Sequence, residues 1–427
     1  MRSLVLRFLA VVVVACFAYT PAGVAQPESQ LFDFCFAPDT PANVVKRAYS
    51  RAGLVWQNHS LSDTSDNFQL TSRWSRTATD GSGLQQGEPT TLTWSIVPDG
   101  TGIPGYNGEP SNPSNLRAFL DGIYGAVNWL PIFQQVFDRW AELSGLEYVY
   151  EPNDDGSDLA SQSGQLGVRA DVRIGGHLID GNSGILAYNF YPNNGDMVLD
   201  TDDNYYTNTS SASLRLRNIL AHEHGHGMGL RHVCPKDRTK IMEPYITTLI
   251  DGPQHDDILA ANRHYGDVSE DDDTPGTAAM LGSLVGGTRT LDLSIDDNSD
   301  VDYFEFTLAG ATAVSVSVTP VGFQYLQGPQ DQSCSTGALF NSLPIHDLTL
   351  RLLDSTESPL ATADATGAGS AEELANIVIP GGSGYVEVDG DFTDDVQLYR
   401  LEVSSGDVIF EDDFESGDVA AWSSSLQ

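Results

Sequence analysis

Five residues spread over one short stretch carry the chain's most legible chemistry. His222, Glu223, His226, Gly229 and His232 follow the order H-E-x-x-H-x-x-G-x-x-H. On a helix, His222 and His226 lie one turn apart, so both imidazoles project from one face and can share an ion. Glu223 adjoins the first of them, where its carboxylate can reach water on that ion without entering the coordination sphere. Gly229 lets the chain leave the helix through a conformation other residues avoid, and that turn returns His232 as a third ligand. Three protein ligands leave a fourth position open, which is the arrangement of a catalytic rather than a structural zinc. His224 falls about 200° round the helix from His222 and is read as a non-ligand.

A helix is expected to carry the motif, from about Ser213 to Met228. Around it the pattern predicts an alternating strand at Thr91–Ile96 and a helix through Leu130, Phe133, Val136, Phe137, Trp140 and Leu143. Further strands are expected at Leu146–Tyr150 and Val168–Ile174, and a helix at Gln254–Tyr265. Residues 26–88 are polar with a helical stretch at Pro41–Ala52, and read as a propeptide or N-terminal extension. Asp267–Thr277 (DVSEDDDTPGT) reads as a solvated acidic linker. Beyond it the pattern turns all-β: Asp302–Phe306, Val314–Val318, Leu348–Leu352 and Tyr385–Val388 alternate between turn residues, as in a β-sandwich.

At 427 residues the chain is too long for one ordinary core. Its formal net charge is −38, and Lys46, Lys236 and Lys240 are its only lysines. Such a surface repels nucleic acid and anionic lipid, which excludes both as expected partners. Arg2 and Arg7 precede an apolar run too short to span a bilayer, and small residues at Gly23–Ala25 set an expected signal-peptide cleavage before Gln26. The alternative is a lipoprotein-type cleavage that leaves a lipid on Cys16. Either places the chain outside the cytoplasm, secreted or lipid-tethered, with no transmembrane segment. There Cys35, Cys234 and Cys334 would form one disulfide and leave one thiol, with the pairing open.

The motif resembles that of the metzincin zinc peptidases, and the sequence after it is similar to the matrixins, the matrix metalloprotease family. Ile241-Met242-Glu243-Pro244-Tyr245 resembles their Met-turn, which implies Met242 beneath the metal. Gln254–Ile258 followed by His264-Tyr265-Gly266 resembles their last catalytic helix. Gly184–Phe190 resembles the strand that pairs with an extended substrate, which implies contacts at Leu186 and Ala187. The resemblance makes Pro244, Tyr245 and Ile246 the wall of the pocket for the residue after the cut. It also offers Asp256 or Asp257 as the acceptor of a new N-terminal ammonium.

Departures from that family matter. His177 and Asp180 match two ligands of its structural zinc, but Tyr188 and Val198 stand where histidines are expected, so no structural zinc is expected. Asp180, Asp200 and Asp203 fit an oxygen-rich calcium pattern, with an ordinary acidic loop as the alternative. Cys35-Phe36-Ala37-Pro38-Asp39 resembles the family's cysteine switch without its glycine; the other reading is a disulfide with Cys234 or Cys334. Residues Asp296–Val403 resemble the pre-peptidase C-terminal domain of secreted bacterial peptidases, which implies a helper domain.

The resulting expectation is an α+β metzincin catalytic domain, a mixed twisted sheet with long helices whose active-site helix ends at a Gly turn, followed by an all-β sandwich domain. The divisions are signal peptide 1–25, extension 26–88, peptidase 89–266, linker 267–280, sandwich 281–404 and acidic tail 405–427. The expected function is a secreted, monomeric zinc metalloendopeptidase with one catalytic Zn²⁺ and Ca²⁺ as a candidate second ion. It would hydrolyse extended protein or peptide substrates through a zinc-activated water, with Glu223 as general base and then acid. The sandwich could contact a surface or polysaccharide. The alternative is a secreted metzincin-like adhesion or binding protein that has lost activity. Retention of Glu223 argues against it, because a binding scaffold needs no general base.

Overall fold

The computed structural model describes residues 31–54, 68–328 and 334–406. The expected signal peptide with Cys16 and Gln26, and nearly all of the acidic tail, lie outside the described residues. Six strands form the first sheet: β1 (Phe32–Phe36), β2 (Thr90–Ile96), β3 (Leu146–Tyr150), β4 (Val172–His177), β5 (Ile185–Phe190) and β6 (Met197–Asp200). Their order is β1-β5-β6-β4-β2-β3. β3, β2, β4 and β6 run parallel, while β5 and then β1 add antiparallel at one edge. Among the described residues five α-helices accompany them: α1 (Ala42–Arg51), α2 (Leu116–Tyr124), α3 (Leu130–Ala141), α4 (Ser210–Gly227) and α5 (His255–Tyr265).

The apolar stripe of α3 behaves as its spacing predicts. Phe133, Val136, Phe137 and Trp140 are buried. Phe137 stacks on Trp94 of β2 with ring centroids 4.6 Å apart, and the Trp140 indole donates to the Ala221 carbonyl of α4. Burying side chains of this size contributes roughly 1.5–3 kcal/mol each, so α3 fixes α4 against the sheet. In α4, Ser211–Ser213 have positive φ, and the regular helix begins after them. Every residue from Asn218 to Gly227 is buried. A helix with His, Glu and Asn on its inner turns and no exposed face is a site helix rather than an amphipathic surface one.

The end of the segment read as a propeptide or extension, 26–88, packs on the residues that follow it. Trp74 is buried and its indole donates to the Gly227 carbonyl at 2.7 Å, and the Arg73 guanidinium lies 4.8 Å from the Tyr265 ring centroid. The segment 267–277, read as a solvated linker, is exposed at Val268, Asp271, Asp273 and Thr274, but Asp267 and Asp272 are buried, 3% and 0% exposed. A run of charge in sequence says nothing of which side chains a fold turns inward. The expected strand from Val168 shortens to Val172–His177, since Arg169 closes a turn with Gln165.

The second domain is a two-sheet sandwich. Its strands are β7 (Ala279–Ser283), β8 (Gly287–Ile295), β9 (Val301–Leu308), β10 (Thr312–Pro320), β13 (Thr349–Asp354), β14 (Pro359–Ala363), β15 (Glu372–Ile379), β16 (Gly382–Asp389) and β17 (Gln397–Gly406). They form β7-β9-β16-β13-β14 on one side and β8-β17-β10-β15 on the other. Strict alternation along β9 turns Phe304, Phe306 and Leu308 into the core. Between β10 and β13 sits a separate hairpin, β11 (Gln324–Gln327) and β12 (Ala338–Asn341).

Candidate active site

α4 and the turn after it bring three imidazoles together. The ligand atoms of His222, His226 and His232 lie within 4.8 Å of one another. His232 Nε2 is 3.2 Å from His222 Nε2 and 3.3 Å from His226 Nε2. The outer nitrogens fix the tautomers: His222 Nδ1 meets the Ile241 carbonyl at 2.7 Å and His226 Nδ1 meets the Leu230 carbonyl at 2.8 Å. A carbonyl accepts only from N–H, so the lone pairs of both Nε2 atoms face inward. Burial, and then the neighbouring imidazole, lowers His222 and His226 to about 3, which keeps them neutral. The two lone pairs converge on the His232 ring, an arrangement that suits a divalent cation of tetrahedral preference. The residues therefore fit zinc.

Glu223 is fully buried and neither carboxylate oxygen has a hydrogen bond of normal geometry. Burial and then Asp33 push its pKa well above the usual carboxylate range. Gly229 has φ +103°, and a side chain there would meet the Ser72 carbonyl and the His264 ring. Gly225 is required for a reason the motif does not state: a Cβ there would lie 2.3 Å from Met242 Sδ. Met242 thus packs beneath the metal helix. Asp257 holds that turn through the Ile241 and Met242 amides at 2.8 and 3.1 Å. Its neighbour Asp256 accepts from the Tyr325 hydroxyl of the hairpin instead. His224 points away from the triad, with its Nε2 2.6 Å from the Tyr148 hydroxyl.

The cleft beside the triad holds the chain's own β1. Cys35 pairs with Ala187 and Phe36 with Ile185, antiparallel. On the other side Phe36 donates to the Pro244 carbonyl and accepts from the Ile246 amide, so β1 runs parallel to that segment. β1 is thus flanked by Ile185 and Ala187 of β5 on one edge and by Pro244, Tyr245 and Ile246 on the other. The Phe34 carbonyl faces His222 and His232, and the Cys35 amide faces Glu223. Sequence reasoning missed this strand, although Phe32, Phe34 and Phe36 alternate in a segment read as polar.

Other expectations resolve differently. Cys234 and Cys334 form the disulfide and Cys35 is a free, buried thiol, so Cys35 does not take the disulfide reading. Its sulfur groups with His222 and Glu223 rather than with the three imidazoles. Asp180, Asp200 and Asp203 accept from the backbone amides of residues 180, 181, 183, 185 and 205, as loop-shaping carboxylates do. His177 stands 3.6 Å from Glu109.

Residues 127–266 match the family model described as Matrixin. Over that segment the chain is similar to the matrixins. Among curated relatives, the chain is similar to karilysin of Tannerella forsythia, 32% identical over 141 residues, 31% of this chain and 28% of that one. It is also similar to the hatching enzyme of Paracentrotus lividus, 30% identical over 135 residues, 31% of this chain and 22% of that one. The chain thus spans less than a third of the length of either relative. A pre-peptidase C-terminal domain of collagenase from Bacillus anthracis aligns with 30% of this chain and 94% of its own length. Its identity is 18% and its TM-score 0.19.

Proposed function

We propose that the chain is an exported zinc metalloendopeptidase that cuts extended protein segments, with β1 as an internal occupant of its substrate channel. The observation that carries this is the buried carboxylate of Glu223, without a hydrogen bond of normal geometry, beside three imidazoles whose ligand atoms lie within 4.8 Å of one another. When bound there, zinc would polarise a carbonyl and make water acidic near neutral pH. His222, His226 and His232 would hold the ion. Glu223 takes a proton from water at a carboxylate oxygen and carries it to the departing amine. The raised Glu223 pKa reflects the metal-free pocket; a cation alongside favours the charged carboxylate. The edge of β5 and the Pro244–Ile246 segment align substrate backbone by strand addition. Export is supported by the Cys234–Cys334 disulfide, which persists in oxidising compartments.

Calcium also enters this proposal, at a place other than Asp180, Asp200 and Asp203. Glu270, Asp296 and Asp300 form one group with ligand oxygens within 4.8 Å, and Glu270, Asp272 and Asp302 form a second. Both Asp272 oxygens and one each of Asp296, Asp300 and Asp302 are buried without a hydrogen-bond partner. All four aspartates are less than a tenth exposed. Uncompensated charge of this density is too costly to bury, and hard oxygen donors select calcium over zinc. Glu270 would bridge two ions.

The peptidase reading is tested by measuring zinc content and casein cleavage for wild type beside Glu223→Gln. One zinc per chain in both, with cleavage in wild type alone, supports it. Equal activity in the two removes Glu223 from the mechanism.

A further inference from the structure

The hairpin β11–β12 belongs to the sandwich by sequence but pairs with neither of its sheets. Its contacts go to the matrixin segment. Cys334, just before β12, is bonded to Cys234, two residues after the third metal ligand. The Lys236 amide donates to the Cys334 carbonyl at 2.9 Å, and the Gly328 amide donates to the Cys234 carbonyl at 2.8 Å. The Lys240 ammonium, 3% exposed, reaches the Leu326 carbonyl of β11. Tyr325 donates to Asp256 at 2.9 Å, and Ser342 meets His255 Nε2 at 2.8 Å.

These contacts act on a stretch without regular structure. From His232 to Ile246 the chain has neither helix nor strand, yet it contains a metal ligand, the Met-turn and the pocket wall. Glu243 gathers the amides of Arg238, Thr239 and Lys240, and Asp257 holds Ile241 and Met242. The hairpin takes hold of Cys234 to Lys236, ahead of those clamps. Lys236 then passes its position on, since its ammonium sits 4.8 Å above the Tyr245 ring. Two adjacent aspartates of α5 divide the work: Asp257 fixes the Met-turn and Asp256 fixes the hairpin.

We infer that β11–β12 is a positioning element of the peptidase site, setting the Cys234–Ile246 loop and with it the selectivity for the residue after the cut. This rests on the peptidase reading above. Tyr325→Phe removes only the hydroxyl that meets Asp256. Cys234→Ser with Cys334→Ser removes the covalent tie, and serves if the first change is too mild.

The test uses the full chain and two readouts. Amide hydrogen exchange is expected to rise in Cys234–Ile246 in either variant, with α4 unchanged. The kcat/KM ratio between peptides carrying a large apolar residue or alanine after the cut should shrink about 3- to 10-fold at constant zinc content. Unchanged exchange in that loop in both variants overturns the inference, whether or not the chain cleaves anything. A lowered Tm with the ratio intact also overturns it, because that marks a merely structural role. A wild type that loads zinc and cleaves nothing strikes the peptidase reading instead, while exchange still decides the hairpin's role.

Discussion

Cys35 lies opposite Ala187 in antiparallel register, one residue beyond the carbonyl of Phe34 that faces His222 and His232. The Phe34–Cys35 peptide bond therefore lies between His222 and His232 on its carbonyl side and Glu223 on its amide side. β1 lies across the site with its chain direction and its bonds on both sides consistent with a substrate strand. The strand is thus both a block and a candidate for cutting. Wild-type chain incubated with zinc is expected to yield a new N-terminus at Cys35, seen by intact-mass measurement, and Glu223→Gln is not. Deleting residues 1–54, which removes β1 and α1 but spares Trp74, should raise casein cleavage at least about tenfold, equivalent to about 1.4 kcal/mol of competition for the cleft. Equal activity with and without those residues would show that β1 leaves the channel unaided.

The thiol is a separate question from the strand. Cys35 sulfur groups with His222 and Glu223, and burial raises its pKa well above that of a free thiol. A sulfur that closed a tetrahedron would group with all three imidazoles. Cys35→Ser is therefore expected to keep the chain as latent as wild type, because the blocking contacts are backbone hydrogen bonds from Phe36 and Ala37. Activation of Cys35→Ser to the level of the 1–54 deletion would restore the cysteine-switch reading.

Asp257 links the Met-turn to the metal. It holds the Ile241 amide, and the Ile241 carbonyl orients the His222 ring. Asp257→Asn removes the charge from those bonds and offers one oxygen where two are used. Outer partners of this kind tune affinity by roughly 10- to 100-fold. Zinc competition against a chelator should show a loss of that order for Asp257→Asn. An unchanged affinity would leave Asp257 with the role of a helix cap, through its bond from the Gln254 amide.

The metal motif is legible in sequence because its geometry is local: four residues make one helical turn, and the departure at Gly229 is a matter of backbone conformation. The helix through Phe133, Phe137 and Trp140 is legible for the same reason. Pairings between distant segments are not. Nothing near Phe32–Phe36 announces that β5 is its partner, some 150 residues on. Trp74 reads as a residue of a polar extension because its partner, the Gly227 carbonyl, lies beyond any local window. Asp267–Thr277 misleads for a different reason. Charge predicts exposure unless something neutralises it, and the calcium proposed at Glu270 would leave no letter in the sequence.

That ion gives the last prediction. In the metal-free chain, burial followed by the neighbouring carboxylates raises Asp272 to about 9 and Glu270 to about 11. A carboxyl whose folded pKa exceeds its unfolded value stabilises the fold below the unfolded pKa, and that contribution is lost as pH rises toward the folded one. The calcium-free chain should therefore lose thermal stability between about pH 5 and about pH 8, where the unfolded chain has released these protons and the folded chain still holds them. Calcium displaces the protons, so saturating calcium should flatten that slope and raise Tm most at the alkaline end. At 100 times Kd the added stability is about 2.7 kcal/mol per ion. Glu270→Gln, which weakens both groups at their shared member, should lower the calcium stoichiometry measured by titration calorimetry from two. If Glu270→Gln still takes up two ions per chain, the calcium sits elsewhere, and Asp180, Asp200 and Asp203 become the first place to look.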